Sequence, residues 1–139
     1  MFFSKEINGL DSDIIYFTLD IPSISFYRDV YHKDSSLNDV QYNIQLLNDS
    51  DEEKKLFFIA GHSGRGENCF FNSLVNLKIG DEIDLLFSQY KYTYLVDVIY
   101  YIDKTGVMDV DRWENTLYLI TCSLVYPGKQ LIIRASLIS

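Results

Sequence analysis

The sequence predicts a mostly β protein, a closed barrel of seven to eight strands with two short helices. Three observations carry this. Eleven tyrosines and nine phenylalanines recur beside Ile, Val and Thr in short stretches, the company that strand residues keep. Turn formers bound those stretches: Pro22, Gly61, Gly80-Asp81, Thr105-Gly106 and Pro127-Gly128. The length of 139 residues fits one domain of about 100–200 residues around a single core.

Strands are expected over residues 14–21 and 24–31, parted by Pro22, and over 55–60, stopped by Gly61. Four more follow over 83–89, 91–102, 116–123 and 130–138, with 1–13 as a tail. Two segments depart from strand patterning. Leu37, Val40, Ile44 and Leu47 lie at helical spacing in 36–47, and Phe70, Leu74 and Leu77 do so in 69–77. These are expected to be short helices over the barrel openings, the first capped by Ser36 with Asp39 three residues on, the second by Asn68. The run 48–54 is charged and reads as a solvated loop. Its acids lack the central Gly and final Glu of an EF-hand.

A hydrophobic content of 47% with 23% charged residues describes a globular chain and excludes a disordered or fibrous one. The net charge is -8 and no Lys/Arg run exceeds a pair, so the basic stripe that nucleic-acid binding needs is missing. No apolar run approaches the ~20 residues of a membrane-spanning helix. Met1 to Leu10, with Lys5, Glu6 and Asn8, lacks the apolar centre of a signal peptide. Cys69 and Cys122 are too few for a disulfide framework, although one bridge between them is compatible with the sequence.

Nucleophilic chemistry needs a nucleophile, an acid–base partner and a device for a developing oxyanion. His62 follows the apolar run Leu56 to Ala60 and lies in Gly61-His62-Ser63-Gly64-Arg65-Gly66, where glycines let the backbone turn and expose the imidazole. Cys122 ends the strand Thr116 to Cys122 at the expected barrel rim, where a nearby cation can ionise a thiol. His32, in Tyr31-His32-Lys33-Asp34, reads as a solvent residue, Cys69 as a half-buried packing residue, and Trp113 as an ordinary rim residue. A serine-hydrolase elbow fails because Arg65 stands where Gly-x-Ser-x-Gly requires its last glycine. The Cys and His residues lack the close pairs of zinc sites.

Four segments, in order, resemble the sortases, cysteine transpeptidases of Gram-positive surfaces. Leu19-Asp20-Ile21-Pro22-Ser23-Ile24 is similar to that family's I-P-x-I segment. Phe58-Ile59-Ala60-Gly61-His62-Ser63 is similar to its histidine strand. Leu77-Lys78-Ile79-Gly80-Asp81-Glu82-Ile83 resembles its L-x-x-G-D-x-I turn, and Leu119-Ile120-Thr121-Cys122 its T-L-x-T-C cysteine strand. The resemblance implies Cys122 as nucleophile, His62 as acid–base group and Thr121 as a residue shaping the substrate groove. It further implies a Leu-Pro-x-Thr-Gly-type sorting peptide as substrate and an amine of a cell-wall precursor or pilin lysine as acceptor. No cofactor or metal is implied, and the protein is expected to be a monomer at the extracellular face of the membrane, its anchor outside this chain. The compact form resembles class B or D.

One position departs from the family. Its usual arginine at the start of the last strand is replaced here by Gln130, and Arg134 stands four residues on, roughly 13 Å away in a strand. Three readings follow: Gln130 donates its amide hydrogens to the substrate carbonyl, Lys129 or Arg65 supplies the positive charge, or the barrel binds sorting peptides with little or no turnover. The first is favoured, because an oxyanion hole needs positioned donors. Fast, histidine-dependent alkylation of Cys122, with Cys69 slow, is expected of the enzyme.

Overall fold

The computed structural model describes residues 14–105 and 110–139. The expected tail, 1–13, and Gly106 of one expected turn lie outside the described residues. Eight strands form one sheet: β1 Ile15–Ile21, β2 Phe26–Tyr31, β3 Gln45–Leu46, β4 Phe57–Ala60, β5 Glu82–Leu86, β6 Lys91–Asp103, β7 Thr116–Cys122 and β8 Lys129–Leu137. Their order is β2-β1-β5-β6-β8-β7-β4-β3, and among the described residues β4–β7 is the one parallel pair.

The sheet curls into a nearly closed barrel because its strands bury alternate residues inward. Leu117 and Leu119 of β7 and Leu131, Ile133 and Ala135 of β8 join Phe17, Leu19, Phe57 and Ile83 in the interior. The other face of the β6-β8-β7-β4 region is also apolar: Phe58, Tyr118, Ile120 and Ile132 pack with Val110 of the segment between β6 and β7. That segment is pinned across the sheet by the Arg112–Asp49 ion pair at 2.7 Å and by Tyr118 Oη, which donates to the Asp111 carbonyl at 2.7 Å. Strands buried on both faces read as continuous apolar runs, which is why β4 and β7 stand out in the sequence.

Side chains, not a ladder, bridge the seam between β2 and β3. Asn43 Nδ2 donates to the Asp29 carbonyl at 2.8 Å, and Asn43 Oδ1 accepts from Arg28 Nε. The Arg28 guanidinium lies 3.5 Å from the centre of the Phe70 ring.

The expected first helix does not form. Residues 36–44 are turns and 45–46 are β3. Asn38 binds Leu46 at both its N–H (2.7 Å) and its carbonyl (3.0 Å), Asp39 accepts from the Gln41 N–H, and Ser35, not Ser36, accepts from the Leu37 N–H. Such bonds offer the backbone an alternative to helix, so the segment folds back as a loop that buries Ile44, partly covers Val40 and Leu47 and leaves Leu37 exposed. The second segment holds a short 3-10 helix, Asn72–Asn76, without a side-chain cap; Asn68 instead donates to the Gln41 carbonyl at 2.6 Å.

The charged run is the solvated loop expected, with Asn48, Asp49, Glu52, Glu53 and Lys54 exposed, and it holds one short turn. Glu52–Lys54 is a 3-10 turn capped by Asp51, Ser50 is buried, and Glu52 accepts from the hydroxyls of Tyr16 and Tyr90. His32 is exposed but stacks on Tyr16, ring centres 4.5 Å apart. Trp113 is exposed beneath Arg134, 5.2 Å from its ring.

Candidate active site

Parallel pairing of β4 with β7 sends both strands toward the same edge of the sheet. Ala60 is opposite Ile120, and the Gly61 N–H extends the pairing by donating to the Ile120 carbonyl at 3.1 Å. His62 and Cys122 are therefore the next residues but one on adjacent parallel chains. Side chains hold this register past the end of the ladder. Thr121 Oγ1 donates to the Gly61 carbonyl at 2.8 Å, and Ser63 Oγ donates to the Cys122 carbonyl at 2.6 Å.

The turn carrying His62 is anchored from its other side by the 70–77 segment. The Phe71 N–H donates to the His62 carbonyl at 3.0 Å, and Asn72 binds Gly64 at both its N–H (2.8 Å) and its carbonyl (3.0 Å). Two glycines are needed. Gly64 has φ +133, a conformation that disfavours side chains. At Gly61 an added Cβ would fall 2.7 Å from Phe71 Cδ2. The imidazole of His62 is exposed, and among the described residues no hydrogen bond fixes its orientation.

Alternation decides which way the strand residues face. Thr121 is buried at 4% exposure, on the side of Leu119, while Cys122 faces outward with Ile120 and is half-buried. Gln130 is the cross-strand partner of both Cys122 on β7 and Ile102 on β6, and directly opposed side chains on one face have Cβ atoms about 5 Å apart. Across the sheet the order is thus Ile102, Gln130, Cys122, with the His62 turn beyond.

The cations named by the sequence stand elsewhere. Lys129 pairs with Asp103. Arg134 pairs with Asp97 at 3.1 Å and covers Trp113. Arg65 is exposed in the glycine turn. The cation at the sulfur is one the sequence did not mark: Lys104 Nζ lies 3.4 Å from Cys122 Sγ. Its only sequence signal is alternation, since Lys104 comes two residues after Ile102 in β6. Both cysteines are free thiols, so the possible bridge is not made. Among the described residues no group of three His, Cys, Asp or Glu side chains could hold a metal ion.

A cavity of about 320 Å³ opens at the β2–β3 seam, lined by Tyr27, Arg28, Asp29, Tyr31 and Tyr42 among others. None of its lining residues belongs to the His62–Cys122–Gln130 row.

A nearly closed eight-stranded barrel with a cysteine and a histidine at the ends of its parallel pair defines a class of thiol-bearing β-barrels. The sortase-domain family profile matches residues 19–138 of this chain; the chain belongs to the sortase family. It is 27% identical over 119 residues to sortase A of Listeria monocytogenes serovar 1/2a, covering 85% of this chain and 54% of that protein. It therefore spans about half the length of the curated relative it matches.

The fold is that of solved sortases. Sortase A from Corynebacterium diphtheriae superposes with a TM-score of 0.75 at 22% identity, covering 91% of this chain and 62% of that one. Listeria monocytogenes sortase A gives 0.75 at 24% identity, covering 91% and 89%. A Clostridium perfringens sortase D5 transpeptidase gives 0.74 at 23% identity, covering 99% and 90%.

Proposed function

We propose that this chain is the catalytic domain of a cysteine transpeptidase acting on a Leu-Pro-x-Thr-Gly-type sorting signal. The observation that carries the reading is the β4–β7 register, which sets the His62 turn beside Cys122. Family membership supports it.

The Cys122 thiolate attacks the carbonyl carbon of the signal's threonine, forming an S–C bond and an oxyanion. The C–N bond to the following residue then breaks, and protonated His62 gives its proton to the departing amine. An acceptor amine attacks the thioester and loses a proton to His62. The new amide forms as the S–C bond breaks and the thiolate is restored. Gln130, opposite Cys122, donates its side-chain N–H to the oxyanion. A neutral donor makes a bond roughly half as strong as a charge-assisted one, so Gln130 serves by position rather than charge.

Thr121 shapes the groove from beneath by tying the Cys122 strand to the His62 turn. The peptide lies on the outward face between that strand and the 70–77 segment. The acceptor is a cell-wall precursor or a pilin lysine, and the enzyme acts as a monomer at the outer face of the membrane.

The test is a panel of Leu-Pro-x-Thr-Gly-like and Asn-Pro-x-Thr-like peptides incubated with hydroxylamine and read by mass spectrometry. Hydroxamate from one peptide, lost with Cys122→Ala, is the expected result. Peptide binding without hydroxamate, together with equally slow alkylation of Cys122 and Cys69, would overturn the catalytic reading in favour of a binding barrel.

A further inference from the structure

We infer that Lys104 is a catalytic residue whose ammonium supplies, at the sulfur itself, the positive charge that Gln130 cannot. This rests on the reading of Cys122 as the nucleophile. The contact is direct, Nζ to Sγ at 3.4 Å, and among the described residues Cys122 Sγ is the acceptor of the Lys104 ammonium. Lys129 and Arg134 are paired with Asp103 and Asp97, and Arg65 is exposed in the glycine turn.

The backbone fixes the origin of this side chain. The Lys104 N–H donates to the Gly128 carbonyl at 3.0 Å, and Gly128 closes the turn between β7 and β8. That turn is held by the Ser123 N–H on the Lys129 carbonyl at 2.9 Å and by an edge contact between Tyr101 and Tyr126. Cys122 enters the same turn from β7. Lys104, which follows β6, is thus fastened by its backbone to the β7–β8 hairpin that carries Cys122, and its side chain reaches the sulfur.

An ammonium at this distance favours the sulfur carrying negative charge. That happens twice in a thioester cycle: before attack, and again when the sulfur leaves the acyl carbon. Lys104 acts through its charge and takes no part in the proton transfers. Its effect is electrostatic, on an exposed side chain, so it weakens with salt.

The test is the rate of Cys122 alkylation by iodoacetamide, an uncharged reagent, followed by peptide mapping with Cys69 as internal reference. Lys104→Gln is expected to slow Cys122 alkylation by about three- to fivefold, the size of an exposed charge interaction. Lys104→Arg is expected to stay within about twofold of the parent, and 0.5 M NaCl to narrow the gap between parent and Lys104→Gln by roughly half. Cys69 alkylation should be unchanged. Equal Cys122 rates for the parent and Lys104→Gln, or a Lys104→Arg variant as slow as Lys104→Gln, would overturn the inference. The hydroxamate assay separates the two levels. If hydroxamate depends on Cys122 but alkylation ignores Lys104, only the role of Lys104 falls; if no peptide yields Cys122-dependent hydroxamate, the transpeptidase reading falls whatever the alkylation rates.

Discussion

Thr121 donates its hydroxyl to the carbonyl of Gly61 at 2.8 Å, joining the residue before Cys122 to the residue before His62. The bond is buried, and it sits where the β4–β7 ladder gives way to two diverging turns. Thr121→Val removes the donor and leaves the carbonyl of buried Gly61 without this partner, at a cost of about 1–3 kcal/mol. Thr121→Ser keeps the donor and should keep most of the stability. Urea denaturation of the three proteins checks this, and hydroxamate formation should follow the same order.

Gly61 tests the same junction by bulk. Its Cβ position lies 2.7 Å from one atom of Phe71 and 2.8 Å from another. Gly61→Ala should therefore destabilise the protein by about 1–3 kcal/mol through overpacking. Adding Phe71→Leu to Gly61→Ala should recover part of that loss if the ring is the obstacle. Thermal denaturation of single and double variants gives the coupling.

Gln130 should affect turnover without affecting the thiol. In the proposed mechanism Gln130→Ala removes the oxyanion donor, and such losses cost about 100-fold or more in kcat. KM should change little, and the alkylation rate of Cys122 should stay near that of the parent. A variant that instead slows alkylation and leaves kcat intact would exchange the roles given to Gln130 and Lys104.

The tyrosines around Glu52 set an alkaline limit. Burial, the hydrogen bond to Glu52 and the charge of that carboxylate all raise Tyr16, and together with Tyr92 they push Tyr90 up to about 12. Both phenols are favoured neutral in the fold. Their contribution is complete below the unfolded value of about 10 and is lost as pH rises from there through the raised values. Stability should fall above pH ~10, and Glu52→Gln, which removes the repelling charge, should make that fall shallower. Urea midpoints between pH 9 and 11, with tyrosinate absorbance, measure both.

Much of this protein was legible in one dimension. The apolar runs before His62 and Cys122 mark β4 and β7 because those strands are buried on both faces, and burial is a property that composition records. The four resembling segments carried the family and pointed to His62, Cys122 and the substitution at Gln130. Helical spacing misled at 36–47, since Leu37, Val40, Ile44 and Leu47 keep that period while Asn38 and Asp39 bind backbone groups that a helix would need.

Tertiary structure alone decided three things. The parallel register of β4 and β7 turned two strand ends 60 residues apart in the chain into neighbours. The pairing of Cys122 with Gln130 set a neutral amide opposite the sulfur. The turn between β7 and β8 brought Lys104 to Cys122 while Lys129 and Arg134 met carboxylates. The reason is physical: a sequence records how each residue prefers to be solvated and bent, whereas which charge meets which sulfur depends on strand order, and strand order is settled by contacts between residues far apart along the chain.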